Sequence, residues 1–231
     1  MEVLVTNQLS SAMEDYLKAI YHLAEDEGAV STVLLAGRMG VAAPSVTSMV
    51  KRLTAMNLVL HTPYRGIELT RAGRAVALEV VRHHRLIEAY LAEFLDVPWE
   101  NIHDEAERLE HVLSEELEQR MAEKLGEPNF DPHGHPIPTH EGSVSRAATL
   151  ALWDIPPGHV VTVAEVSDRD PSLLAHLRSL GLVPGSPVEV IDVSLFSGTQ
   201  TLRSDGIPRI IGSELARTIR VNRAFESGAR Q

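Results

Sequence analysis

The chain contains no cysteine. Disulfides, thiolate zinc sites and thiol catalysis are therefore excluded, whatever the fold. Aromatic residues make up only 4 % of the 231 positions, so Leu, Val, Ile and Ala must fill the core. No stretch reaches the ~18–20 consecutive apolar residues of a membrane-spanning helix. Met1–Ser10 has neither a basic segment nor a long apolar one, so no secretory signal is expected and the cytoplasm is the expected compartment. Excess positive charge is missing as well, the formal net charge being −11. Taken alone, that argues against nucleic acid, because phosphate binding depends on positive surface.

The acid is unevenly placed, however. Residues 1–75 hold 7 Lys/Arg and 7 Asp/Glu, residues 76–150 hold 6 and 16, and residues 151–231 hold 8 and 9. A neutral first third can meet DNA while the acidic middle third does something else. A block of carboxylates reads either as a solvated helical face or as a cation site.

Apolar spacing predicts the elements. Met13, Tyr16, Leu17, Ile20, Leu23 and Ala24 recur every three or four residues, which predicts a helix over Ser11–Glu25. Ser10 or Ser11 stands at its cap and Glu14 where a capping box wants an acid. A short helix over Ser31–Met39 ends at Gly40, and another over Ala43–Met56 starts with Pro44 in its first turn. The second presents Ser45, Thr47, Ser48, Lys51 and Arg52 on its polar face. Two helices joined through a Gly turn, the second with a small-polar and basic face, are the helix-turn-helix pattern. Leu58–His61 and Ile67–Thr70 flank Thr62–Gly66 and predict a hairpin. It forms a wing tipped by Tyr64 and Arg65.

Arg71–Leu95 is a long helical pattern, followed by helices from Pro98 and Trp99 through His111 and over Ser114–Leu125. Residues 127–142 hold Pro128, Pro132, Pro136 and Pro138 and mark a linker. Beyond it, His159–Val166, Pro187–Val193, Thr199–Arg203 and Pro208–Ile211 are β-prone, with a helix over Pro171–Leu180. Such a set closes into a small SH3-like barrel. The expected class is mainly α with β: a winged helix-turn-helix over 1–74, a helical domain with linker over 75–142, and an SH3-like domain over 143–231.

One constellation carries chemistry. His103, Glu107, Glu110 and His111 fall within an arc of roughly 100° on a helical wheel. His84 and Glu88 form a second i, i+4 pair on the preceding helix. Imidazoles and carboxylates converging from two helices suit a divalent transition metal, although solvated surface is the plain alternative. Enzyme signatures are missing: Glu-x-x-Glu-His is not the zincin His-Glu-x-x-His, and there is neither a Gly-rich phosphate loop nor a Gly-x-Ser-x-Gly elbow. No enzyme and no small organic ligand are expected.

Together these segments resemble the diphtheria-toxin-repressor family of metal-dependent transcriptional regulators. The carrying residues are Ser11–Tyr21, Ala43–Leu53, Arg82–Leu91, His103–Ser114 and the His135–Pro138 turn. The match is close over residues 8–140, and the remainder looks like the family's third, FeoA-like domain. The resemblance implies a homodimer that binds double-stranded operator DNA when loaded with a divalent metal and represses metal-uptake genes. By position, Asp15, Glu107, Glu110 and His111 match one metal site, and His84, Glu88 and His103 its neighbour. Iron-responsive members place Met and Cys where this chain has Asp15 and Glu107. Two carboxylates harden the site and favour Mn²⁺, with Fe²⁺ as competitor. Manganese-type members carry Glu where Lys18 stands, and an ammonium cannot ligate a cation. Completion of the second site from the third domain is expected, with Asp170 as candidate. Asp131 and His135 replace the family's anion-site residues beside Arg85, so no bound anion is expected. The implied DNA contacts are Pro44, Ser45, Thr47, Ser48 and Lys51, with Arg65 on the wing. A winged-helix interaction module without metal sensing, and a metalloenzyme, are the rival readings.

Overall fold

A computed structural model describes residues 9–62, 66–145 and 147–226. The expected DNA contact Arg65, and Tyr64 beside it at the expected wing tip, lie outside the described residues. The chain divides into two compact units. The first comprises the residues up to His84, Leu109–Glu115 and Pro138–Ser143; the second comprises Arg85–Arg108, Glu116–Ile137 and the residues from Val144 onward.

In the first unit, helices α1 (Ser11–Glu27), α2 (Thr32–Met39) and α3 (Ala43–Ala55) precede the hairpin of β1 (Val59–Thr62) and β2 (Gly66–Leu69). Leu17, Ile20, Leu35, Val46, Leu53 and Leu58 are fully buried and form its core, as the helical spacing requires. Ser31 caps α2 by accepting the Leu34 amide proton at 3.1 Å. Gly40 ends α2 in the left-handed region, at φ 64° and ψ 28°, where a side chain would be strained. The chain bends by 108° into α3, within the range of helix-turn-helix units. Ile67 donates to the Val30 carbonyl at 2.8 Å, which adds an antiparallel bridge to the hairpin. The expected capping box is absent: the Ser10 side chain makes no cap bond, and Glu14 turns to another partner described below.

Helix α4 (Arg71–Phe94) runs without a break through both units. In the second unit it continues past Arg85 to α5 (Ile102–Leu109) and α6 (Glu115–Leu125), the last of which begins at the division between units. Leu86, Ala122 and Ile137 form a buried cluster there. The helix expected through His111 ends instead at Leu109, so Glu110 and His111 lie in a turn. The Glu110 carbonyl meets the His83 ring Nδ1 at 3.1 Å, a partner that replaces the helical amide.

The C-terminal part is a six-stranded antiparallel sheet. Its strands are β3 (Thr149–Ala151), β4 (Val160–Glu165), β5 (Pro187–Ser194), β6 (Thr199–Ser204), β7 (Ile207–Gly212) and β8 (Arg220–Glu226), in the order β3-β8-β4-β5-β6-β7. Helix α7 (Pro171–Ser179) follows β4, and α8 (Ser213–Thr218) joins β7 to β8. Register shifts interrupt β4 twice and β5 once, the bulges that let a short sheet coil into an SH3-like fold. Among the described residues no single helix is long and apolar enough to cross a membrane.

Candidate metal centre

The first unit gathers one cluster from α1 and the turn after α5. Glu14 and Asp15 are adjacent on α1, and both reach His111. Its Nδ1 lies 2.6 Å from Glu14 Oε2, and its Nε2 lies 2.8 Å from Asp15 Oδ1. Glu110 Oε1 is 3.5 Å from the same Nε2. These bonds, Asp15 first and Glu14 next, outweigh burial and hold the His111 pKa up at about 10. The ring is thus an imidazolium donating to two carboxylates at neutral pH. One ligand atom each from Asp15, Glu110 and His111 lies within 4.8 Å of the others.

Glu110 is the buried heart of this cluster, its side chain fully covered. Lys18, one turn beyond Asp15 on α1, donates to Oε2 at 2.7 Å and to Oε1 at 2.9 Å. His84 Nδ1 lies 2.5 Å from Oε2. Burying a carboxylate without such partners is prohibitively unfavourable.

The second unit holds another cluster, also rich in imidazole and carboxylate. Glu88 Oε1 is 3.3 Å from His103 Nδ1 and 3.7 Å from His133 Nδ1. Asp168, just past β4, approaches His103 at 3.5 Å and His135 at 3.6 Å. Glu107 Oε1 is 3.8 Å from His103 Nε2 and remains 43 % exposed. Burial pushes the Asp168 carboxyl up, but positive charge on His135, followed by His103 and His133, more than offsets it and leaves the pKa at about 2.

Local chain chemistry shapes this cluster. Asp131 Oδ1 accepts the backbone protons of His133 and His135 at 2.8 and 3.0 Å, an Asx turn. Its Oδ2 lies 3.6 Å from the Arg85 Nε, and Arg85 also donates to the Pro136 carbonyl. Asp131 is therefore spent on the turn, and Arg85 has internal partners. Gly134, at φ 90°, lies so close to β4 that a Cβ would stand 1.9 Å from the Ala164 carbonyl oxygen. No other residue fits there. The fully buried His133 places its Nε2 3.3 Å from the Trp99 carbonyl, and its Nδ1 has no hydrogen-bond partner. Burial disfavours charge on this ring, but Glu88 and then Asp131 and Asp168 hold its pKa above the ordinary value. A proton given up from Nδ1 would leave a lone pair there while Nε2–H faces the Trp99 carbonyl, the arrangement a metal ligand needs.

Set against the expectation, Asp15, Glu110 and His111 meet in the first unit, with His84 beside Glu110. Glu88 and His103 meet in the second, with Glu107 beside His103. Sequence reasoning missed Glu14, His133, His135 and Asp168. The carboxylate expected from the third domain, Asp170, instead caps α7, accepting the Ser172 and Leu173 amide protons at 2.9 and 3.3 Å. An Asp directly before Pro171 is a helix cap signal, so the sequence held the clue. Of the residues expected to meet DNA, Pro44, Ser45, Thr47, Ser48 and Lys51 are exposed on α3, while Val46, Val50 and Leu53 are buried. Thr47 donates its hydroxyl proton to the Ala43 carbonyl at 3.0 Å.

Sequence models of three domains match the chain: "Iron dependent repressor, N-terminal DNA binding domain" over residues 8–67, "Iron dependent repressor, metal binding and dimerisation domain" over 70–139, and the FeoA domain over 150–223. The chain belongs to the iron-dependent repressor family. It is 35 % identical over 196 residues to the iron-dependent repressor IdeR of Mycobacterium leprae, covering 80 % of this chain and 85 % of that one. It is 32 % identical over 226 residues to the diphtheria toxin repressor of Corynebacterium efficiens, covering 93 % and 96 %. Among solved structures, a manganese-dependent transcriptional repressor in complex with manganese superposes with a TM-score of 0.84 at 38 % identity, covering 91 % of this chain and 99 % of that one. Membership makes the chain a metal-dependent transcriptional repressor with a DNA-binding domain, a dimerisation domain and an SH3-like FeoA domain. This is a regulator class rather than an enzyme class.

Proposed function

We propose that the chain is a manganese-responsive repressor that binds operator DNA as a homodimer, and that Asp15, Glu110 and His111 hold the activating ion. The observation that carries this reading is the donor set. Two carboxylates and one imidazole, with no sulfur, lie within 4.8 Å of one another, and hard oxygen ligands suit Mn²⁺. The related structure that carries manganese supports the same metal. Raw affinity still follows the Irving–Williams order, so the active geometry rather than affinity selects the ion.

In the first cluster a divalent ion would supply the positive charge that the His111 proton supplies without it. His111 would hold such an ion through Nε2, the nitrogen that faces Asp15, and the Glu14 carboxylate at Nδ1 would orient the ring. Asp15 ties α1 to the turn bearing Glu110 and His111. In a dimer, that tie sets the distance between two copies of α3, which must meet major grooves ~34 Å apart. Ser45, Thr47 and Ser48 then face base edges, Pro44 makes apolar contact, and Lys51 and Arg65 face phosphates. The ion needs only to favour the DNA-competent state over the other. Glu88, His103 and Asp168 form a second ligand set in the second unit, with Glu107 at its edge.

The test is operator binding. The protein's own promoter and metal-transporter promoters are titrated in chelator, then with Mn²⁺ or anaerobic Fe²⁺ restored. Binding that appears with Mn²⁺ at lower free concentration than with Fe²⁺ is expected. Fe²⁺ acting first would make this an iron sensor. Binding unchanged by chelator would leave a metal-independent DNA-binding protein.

A further inference from the structure

Lys18 stands where a cation would stand. Its Nζ lies 2.7 and 2.9 Å from the two oxygens of Glu110 and 3.4 Å from His84 Nδ1. Its side chain is 11 % exposed, and that of Glu110 is fully covered. The carboxylate therefore lies between two imidazoles, His84 toward Oε2 at 2.5 Å and His111 toward Oε1 at 3.5 Å. A carboxylate flanked in this way can serve two cations, one on each side. The ammonium fills the His84 side. The Asp15 and His111 side is left for a ligand.

Charge counting agrees with the geometry. Glu14, Asp15 and Glu110 bring three negative charges within reach of His111, and Lys18 returns one positive charge. With His111 neutral, the remainder is two negative charges, which one divalent ion cancels. A second divalent ion would leave the buried cluster positive and would meet the ammonium at close range, where like charges repel strongly.

We infer that Lys18 is a tethered counter-cation: it neutralises Glu110 when metal is absent and restricts this cluster to a single divalent ion. The inference rests on the ligand assignment proposed above. It makes Lys18 a residue that sets stoichiometry, one that binds no metal itself.

The experiment compares the full chain with Lys18→Glu, Lys18→Gln and Lys18→Glu/His84→Ala, each stripped with chelator and dialysed free of it. Bound Mn²⁺ is counted by calorimetric titration and by the electron paramagnetic resonance signal of the free ion. Lys18→Glu is expected to take up one more Mn²⁺ per chain than the parent, and its bound ions to show the exchange-broadened signal of a carboxylate-bridged pair. Adding His84→Ala removes the extra ion. A Lys18→Glu protein that folds in Mn²⁺ and binds the parental number of ions would overturn the inference. The second readout needs no metal. Lys18→Gln in chelator should melt below the parent, because the buried Glu110 then loses its closest counter-charge, and unchanged melting would also overturn the inference. A parent whose ion count is unaffected by Glu110→Gln refutes instead the ligand assignment, a failure the metal-free melting distinguishes.

Discussion

Asp15→Asn separates metal binding from folding better than any other single change in the first cluster. The Asp15 side chain is 37 % exposed and makes one bond to His111, at 2.8 Å. Solvent screens that pair, so its loss should reduce metal-free stability by less than about 1 kcal/mol. The amide keeps the shape but loses the charge that ligates. Removing one ligand is set here at ~100-fold in affinity, the upper range for perturbing a metal site's supports. With free Mn²⁺ at one hundred times the parental Kd, linkage stabilises the parent by about 2.7 kcal/mol. The same concentration equals the variant's Kd and stabilises it by only about 0.4 kcal/mol. For a chain of 231 residues, each kcal/mol moves Tm by ~2–4 °C. The Mn²⁺-induced rise should therefore be smaller in Asp15→Asn by roughly 5–9 °C. An ion in the second unit adds equally to both proteins and cancels in the difference. The assay is a pair of thermal melts, in chelator and in buffered Mn²⁺. Equal rises in parent and variant would refute Asp15 as a ligand and, with it, the tie between α1 and the His111 turn.

Other outcomes follow from single features. Lys51→Ala should weaken operator binding at every sequence and reduce the slope of log K against log salt by about 1 in filter-binding or anisotropy titrations; an unchanged slope places Lys51 off the phosphates. Ser31→Ala removes the acceptor for the Leu34 amide proton and should destabilise the first unit by about 1 kcal/mol in denaturant titration. In chelator, the His111 pKa of about 10 lies above its ordinary 6.5. The folded state therefore binds the proton more tightly, and the stabilisation is complete below pH ~6.5 and lost as pH rises through ~10. Melts in chelator should fall across that window, and His111→Gln should flatten the fall.

Helical periodicity made the scaffold legible. Leu17, Ile20 and Leu35 are fully buried where spacing placed them, and Val46 and Leu53 leave Ser45, Thr47, Ser48 and Lys51 outside. That pattern depends only on neighbours along the chain. The same logic failed at Glu110 and His111, because a helix that looks continuous can end when a distant group, here His83, takes its carbonyl. Glu14 was legible as a cap and works as a partner of His111, ninety-seven residues away in sequence. His133 and His135 looked like linker histidines because the packing of Gly134 on β4, which fixes them, is a tertiary contact. Strands β3 and β8 escaped notice for a related reason. They pair Thr149 with Asn222 and Ala151 with Arg220, and no local alternation records so distant a partner.

The chain holds two tryptophans, Trp99 and Trp153. The carbonyl of Trp99 lies 3.3 Å from the Nε2 of His133, and its indole ring lies 5.3 Å from that imidazole. Trp153 instead stacks under Arg217, centred 5.4 Å away. The protein thus contains its own optical gauge. A paramagnetic ion held by His133 would darken Trp99, so the emission of Trp153→Phe reports occupancy of the second unit without a dye, a label or a radioactive isotope. Loading of the two clusters then becomes separable in time as well as in amount, in a single cuvette.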